Sequence, residues 1–236
     1  MSTGVGWTSA SQTIMPGGGI SRRPLHLFIL ADCSGSMKIE ARWQALNFAV
    51  GSMLPHLAAW EMKQEQAQVF VRAIAFADDA WWHIAEPLPV RNAKWVDLSY
   101  VEKGETSMGA AFRLVSEALE VGKLEARALR PAIVLITDGR PSDPAEFKAG
   151  LETLLSTPGG QAAIRVAVAI GRSANSGYLS QFISDPSMGV LVADNVDQIT
   201  DQLVAASLAV SRMSEVGVDR DSIALSQAPA DEDSIV

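Results

Sequence analysis

The strongest constraint in this sequence is that two short apolar runs each stop at a carboxylate. Leu25-His26-Leu27-Phe28-Ile29-Leu30 leads into Ala31-Asp32, and Pro131-Ala132-Ile133-Val134-Leu135-Ile136-Thr137 leads into Asp138-Gly139. Short runs with so little polar alternation suit strands buried on both faces, as in a parallel sheet covered by helices. Amphipathic segments follow them. Ile39, Trp43, Leu46, Val50, Met53 and Leu57 recur at helical steps, with Pro55 expected to kink that helix or to start a second one. Ala111, Phe112, Val115, Ala118 and Leu119 mark a further helix from Met108, and residues 144–155 a third.

The remaining segments complete the alternation. Residues 68–77 present two apolar faces, as a central strand does, and residues 80–86 read as a shorter strand that turns back through Asp78-Asp79 to pair antiparallel. A turn at Pro158-Gly159-Gly160 precedes a strand at 163–170. A small helix carrying Tyr178, Leu179, Phe182 and Ile183, a strand at 189–193 and a helix at 196–210 follow. The expected fold is α/β and doubly wound: a mainly parallel, six-stranded sheet with one antiparallel edge strand and helices on both faces. Residues 1–23, with Pro16-Gly17-Gly18-Gly19, read as a flexible leader and residues 24–211 as one domain. Residues 212–236 read as an acidic tail that sets Glu215, Asp219, Asp221, Asp231, Glu232 and Asp233 against Arg220 alone.

Composition removes several classes of function. Of 236 residues, 48% are hydrophobic and 19% charged, enough apolar content for one sizeable core. A net charge of −8 argues against nucleic acid, since phosphate backbones are held by clustered Lys and Arg. No apolar run approaches the ~20 residues of a membrane span. Residues 1–20 lack the basic and apolar parts of a signal peptide, and the single cysteine, Cys33, fits a reducing compartment, so the expected location is the cytoplasm.

In such a sheet, ligands bind outside the carboxyl ends of the strands. Three loops fall there: 32–36, 104–107 and 138–143. Asp32, Ser34, Ser36, Thr106 and Asp138 together offer five oxygen-bearing side chains for a small hard cation such as Mg²⁺, and Gly35 lets the first loop turn tightly. An open coordination position could take a carboxylate from a protein partner. Simpler readings stand beside this one: Asp32 and Ser34 as helix caps, Thr106 and Ser107 as an N-cap, and Ser142-Asp143-Pro144 as a helix start.

Enzymatic readings fare worse. A tyrosine-phosphatase-like use of Cys33 needs an Arg six positions later, where Ile39 stands, and Ser34 occupies the second Asp of an aspartyl-phosphatase D-x-D pair. No G-x-S-x-G surrounds either serine, and none of His26, His56 and His83 is placed as a general base.

Asp32-Cys33-Ser34-Gly35-Ser36 after the first strand, Thr106 before a helix and Thr137-Asp138-Gly139 after a central strand resemble the metal-ion-dependent adhesion site of von Willebrand factor type A domains. The resemblance covers residues 24–210 or so. It implies a Rossmann-like fold, direct ligation by the hydroxyls of Ser34, Ser36 and Thr106, and ligation by Asp32 and Asp138 directly or through water. The implied ion is Mg²⁺, with Mn²⁺ or Ca²⁺ as alternatives. The segment Thr137-Asp138-Gly139-Arg140-Pro141-Ser142-Asp143 looks most like bacterial tellurite-resistance-associated type A proteins, which implies a protein kinase and a PP2C-like phosphatase as partners in stress or defence phospho-signalling.

The leading expectation is a metal-dependent protein-interaction module without catalysis, completed by a partner's Asp or Glu. The alternatives are an adaptor with a structural metal that binds through Trp81-Trp82 or the acidic tail, and a metal-assisted hydrolase or phosphoryl-transfer enzyme.

Overall fold

The protein is described by a computed structural model over residues 22–171 and 176–193. The expected leader up to residue 21, the helix at 196–210 and the tail at 212–236 lie outside the described residues.

Strand β1 (Arg23–Asp32) sends Leu25, Leu27, Ile29 and Ala31 to one face of the sheet and Phe28 and Leu30 to the other, and all six are buried. It starts at Arg23, whose Cα is in register with Ala67. A 3₁₀ segment, Gly35–Ala41, leads into α1 (Arg42–Lys63), which packs Leu46, Val50, Met53 and Leu57 on the first face. Pro55 lies inside α1 without ending it, on an exposed position. Ile39, expected on the apolar stripe, is 53% exposed, because the backbone leaves helical geometry there and Glu40 and Ala41 turn left-handed (φ 53° and 55°) before α1 begins.

Strand β2 (Ala67–Phe76) runs parallel to β1, and β3 (Ala80–Pro89) returns antiparallel as the edge strand through the Asp78-Asp79 turn. The chain then crosses back over the sheet. Helix α2 (Met108–Ala118) precedes β4 (Ala132–Thr137), which pairs parallel with the other side of β1. Helices α3 (Pro144–Ser156) and α4 (Pro158–Ala162) lead to β5 (Ile164–Ile170), and α5 (Ser176–Phe182) to the short β6 (Leu191–Ala193). The expected turn at Pro158-Gly159-Gly160 is a helical turn, with Pro158 at its start and the Thr157 hydroxyl accepting from the Gly160 N–H.

The strand order is β3-β2-β1-β4-β5-β6, with β3 alone antiparallel. The α1 side of the sheet forms one core, and α2, α3 and α5 pack Phe112, Phe147 and Phe182 into the other. Helices α2 and α3 meet at two glycines. A Cβ on Gly109 would collide with the Glu146 backbone, and one on Gly150 would lie 2.5 Å from the Gly109 backbone. No helix among the described residues is long and apolar enough to cross a membrane.

The sheet order reverses between β1 and β4, so their connections leave in opposite directions and open a crevice at the strand ends. The long 90–107 connection is drawn to that end by Asn47, buried on α1. Its amide donates to the Leu98 carbonyl (2.7 Å) and accepts from the Leu98 N–H and the Trp95 indole (2.9 Å each).

Candidate metal centre

Asp32 ends β1 and Asp138 follows β4, so the parallel β1–β4 register brings both to one crevice. The Asp32 carboxylate accepts the Ser34 N–H through Oδ1 (2.7 Å) and the Thr137 hydroxyl through Oδ2 (2.5 Å). The first bond is an Asx turn, which aims the loop back over the strand end. Ser34 Oγ lies 3.0 Å from Ser36 Oγ, and Ser36 Oγ donates to Asp138 Oδ1 at 2.8 Å. Four of the five expected residues therefore form one local array, joined by hydrogen bonds and by the two adjacent strand ends. Ser34 stands at the N-cap of the 3₁₀ segment but makes no side-chain cap bond, which leaves its hydroxyl to the array.

Thr106 reaches the same crevice by its backbone. The Gly35 N–H donates to the Gly104 carbonyl (3.0 Å), and a Cβ at Gly35 would stand 3.2–3.4 Å from the Lys103 and Gly104 backbone, so a glycine allows the two loops to touch. The Thr106 N–H donates to Ser142 Oγ (2.8 Å), which ties the second loop to the third. Its buried hydroxyl is not hydrogen-bonded to the other four. Ser107 does not cap α2 with its side chain; its hydroxyl donates to the Asp78 carbonyl, whereas Asp143 caps α3 by accepting from Ala145 and Glu146. Gly139, beside Asp138, donates its N–H to the Thr137 hydroxyl (3.1 Å).

Burial pushes the Asp32 carboxyl up to about 6, against hydrogen bonds from Thr137 and Ser34 that pull it down and with the Asp138 charge adding to the rise. The carboxylate is thus short of positive charge within its own loops. Cys33 lies between the site residues but points into the α1-side core, where burial, with the nearby Asp32 charge, pushes its thiol up to about 12 and removes it as a nucleophile.

Sequence reasoning missed two residues here. Arg42, at the start of α1, donates from Nη1 to Asp138 Oδ2 at 2.8 Å. A signal was available, since a cation in the first turn of a helix opposes the helix dipole and calls for a local partner. Ser142, read as part of a helix start, instead latches Thr106 to the third loop.

All five expected residues carry oxygen donors, and among the described residues no group of three or more His, Cys, Asp or Glu forms an alternative metal cluster. An all-oxygen set with two carboxylates and neutral hydroxyls fits a hard divalent cation better than zinc, which favours nitrogen and sulfur. The residues present therefore fit the group.

A mainly parallel sheet wound on both sides of β1, with hydroxyls and carboxylates gathered at its switch point, defines a doubly wound, Rossmann-like α/β domain. Residues 26–205 match the von Willebrand factor type A domain, and the chain belongs to that family. No curated protein matches the chain. Among solved structures it is similar to a von Willebrand factor type A protein from Catenulispora acidiphila (16% identity, TM-score 0.59, covering 79% of this chain and 42% of that one). It also resembles the open conformation of the pilus adhesin SpaC from Lactobacillus rhamnosus GG (15%, 0.63, 82% and 31%). A third is proximal thread matrix protein 1 of the mussel byssus, in a form with a zinc-occupied adhesion-site motif (15%, 0.57, 79% and 48%). At these identities the likeness speaks for the fold, and the chain spans less than half the length of each of the three.

Proposed function

We propose that this protein is a metal-dependent protein-interaction module in which Asp32, Ser34, Ser36, Thr106 and Asp138 hold Mg²⁺ and a partner's Asp or Glu completes its shell. The observation that carries this reading is the hydrogen-bonded array Ser34–Ser36–Asp138 beside Asp32 at the switch point of the sheet, an oxygen-only set with a carboxylate lacking sufficient countercharge. The zinc-occupied motif of the mussel protein supports divalent-metal binding on this fold. When bound, the ion supplies an electrophilic anchor for an incoming carboxylate. The chain's own residues orient it: Thr137 and the Ser34 N–H fix Asp32, and Ser142 fixes the Thr106 loop.

No catalysis is assigned to the module. His26 bonds to Glu125, His56 to the Ser52 carbonyl and His83 to the Val96 carbonyl, so none of the three histidines bonds to the array as a base would. We place it in the cytoplasm. The resemblance of the Thr137-to-Asp143 segment to tellurite-resistance-associated proteins supports a kinase and a PP2C-like phosphatase as partners in phospho-signalling.

The test is a pull-down from native cells at millimolar Mg²⁺, with and without EDTA, using wild type and the Ser34→Ala/Ser36→Ala double variant. Partners lost in both controls are expected. Partners kept in both would overturn the reading and favour a docking surface that includes Trp81, 39% exposed on the edge strand while Trp82 stacks on Arg72 at 4.2 Å.

A further inference from the structure

Arg42 is an unusual neighbour for a cation site. Its side chain is 13% exposed, it bonds Asp138 Oδ2, and its Nε is buried without a partner. The guanidinium packs over Gly171 at the end of β5, where a Cβ would lie 3.2–3.5 Å from its Nη2, Cζ and Nε atoms. Its other acidic neighbour, Glu40 at 3.5 Å, is 79% exposed and contributes little. A guanidinium cannot shed its proton in a protein, so this charge is permanent. It is held against the dipole of α1 and with a donor left unsatisfied, and packing alone does not call for either.

We propose that Arg42 is a built-in counter-ion that keeps the intrinsic metal affinity low, so that a divalent cation is retained firmly only together with a carboxylate from the partner. The inference rests on the reading that this site holds a cation. Asp32 and Asp138 bring two negative charges and Arg42 cancels one. A divalent ion then leaves an excess of one positive charge, which a single incoming carboxylate neutralises. Without Arg42 the two aspartates would neutralise the ion by themselves, and the partner's acid would add less. Arg42 also engages Asp138 Oδ2, so Asp138 faces the array through Oδ1, the oxygen that Ser36 already bonds.

The test is Mn²⁺ titration calorimetry on the full chain, with acetate present or absent as the carboxylate probe. Wild type is compared with Arg42→Gln and Arg42→Met, which remove the charge, and with Arg42→Lys, which keeps it; circular dichroism verifies that each is folded. Removing a positive charge that is bonded to one of the proposed ligands is expected to tighten Mn²⁺ binding roughly tenfold. Arg42→Lys should stay near wild type. Acetate should tighten binding severalfold in wild type and hardly at all in the neutral variants. A folded neutral variant that binds Mn²⁺ no more tightly than a metal-binding wild type would overturn the inference and leave the metal reading standing. Absence of Mn²⁺ binding in every variant would remove the metal reading, and this inference with it.

Discussion

Two carboxylates in this domain are equally buried, 1% exposed each, and they live very differently. Glu61, in the last turn of α1, sits at the end of the sheet where β2 begins. It accepts the Val69 N–H (2.6 Å), bonds Arg91 Nε (2.6 Å) and has Arg22 at 3.8 Å. Two guanidinium groups and a backbone amide answer its charge. Asp32, at the opposite end, has a backbone N–H, a neutral hydroxyl and the negative Asp138 as neighbours. Burying a charge without an opposite one is costly, and where Glu61 meets two guanidinium groups Asp32 is bonded by neutral groups, the Arg42 guanidinium at that end pairing with Asp138 instead. Glu61 serves the fold, whereas in the proposed function Asp32 serves an ion the chain does not itself provide.

The contrast can be broken most sharply at Glu61. Glu61→Ala should lose about 3 kcal/mol of stability by urea unfolding, because the Val69 N–H and two arginines lose their shared acceptor, and the loss should be the same in Mg²⁺ and in EDTA. Metal should act only at the other end. For wild type at pH 7.5, Mg²⁺ at a hundred times its dissociation constant should raise stability by about 2.7 kcal/mol, while Ser34→Ala/Ser36→Ala should show no rise.

Asp32→Asn should stabilise the metal-free protein at pH 7.5 by about 1 kcal/mol, since it removes an uncompensated charge and keeps the shape, while abolishing the Mg²⁺ response. The same carboxylate sets a pH signature. Folded Asp32 keeps its proton up to about 6 whereas the unfolded chain releases it near 3.8, so the folded state binds more protons between those values. Stability of wild type in EDTA should therefore fall as pH rises from about 4 to about 6, a slope that Asp32→Asn should flatten. The smallest effect belongs to the loop backbone. Lys103 is held left-handed (φ 63°) beside Gly104, and Lys103→Gly should gain up to about 1 kcal/mol by relieving it.

The strands were legible because each apolar run states its burial directly. β1 and β4 read as two-faced strands ending at acids, and that alone located the crevice. α2 and α3 start where Met108 and Pro144 suggest. What the sequence hides is contact between distant polar residues. Arg42 and Asp138 are 96 positions apart, and periodicity along α1 says nothing of what its first residue meets. Glu61 lies beyond the apolar stripe that ends at Leu57, and its burial comes from β2 and Arg91, which lie outside α1. Ile39 fits the helical stripe by spacing, but the left-handed turn at Glu40 and Ala41 breaks the period before the helix begins. The proline-glycine signal at 158–160 is ambiguous, because the same residues that make a turn also start a short helix once Thr157 caps it.

Cys33 carries a practical consequence. It is the sole thiol of the chain, it lies between Asp32 and Ser34 just past the end of β1, and its side chain is buried in the α1-side core. An alkylating probe added to the native protein would consequently report on opening at the end of β1, where Cys33 bonds Phe76 and Val101 through its backbone. The chain bears its own clock for how often that strand end comes undone and, if the proposed ion binds there, for how far the ion slows it.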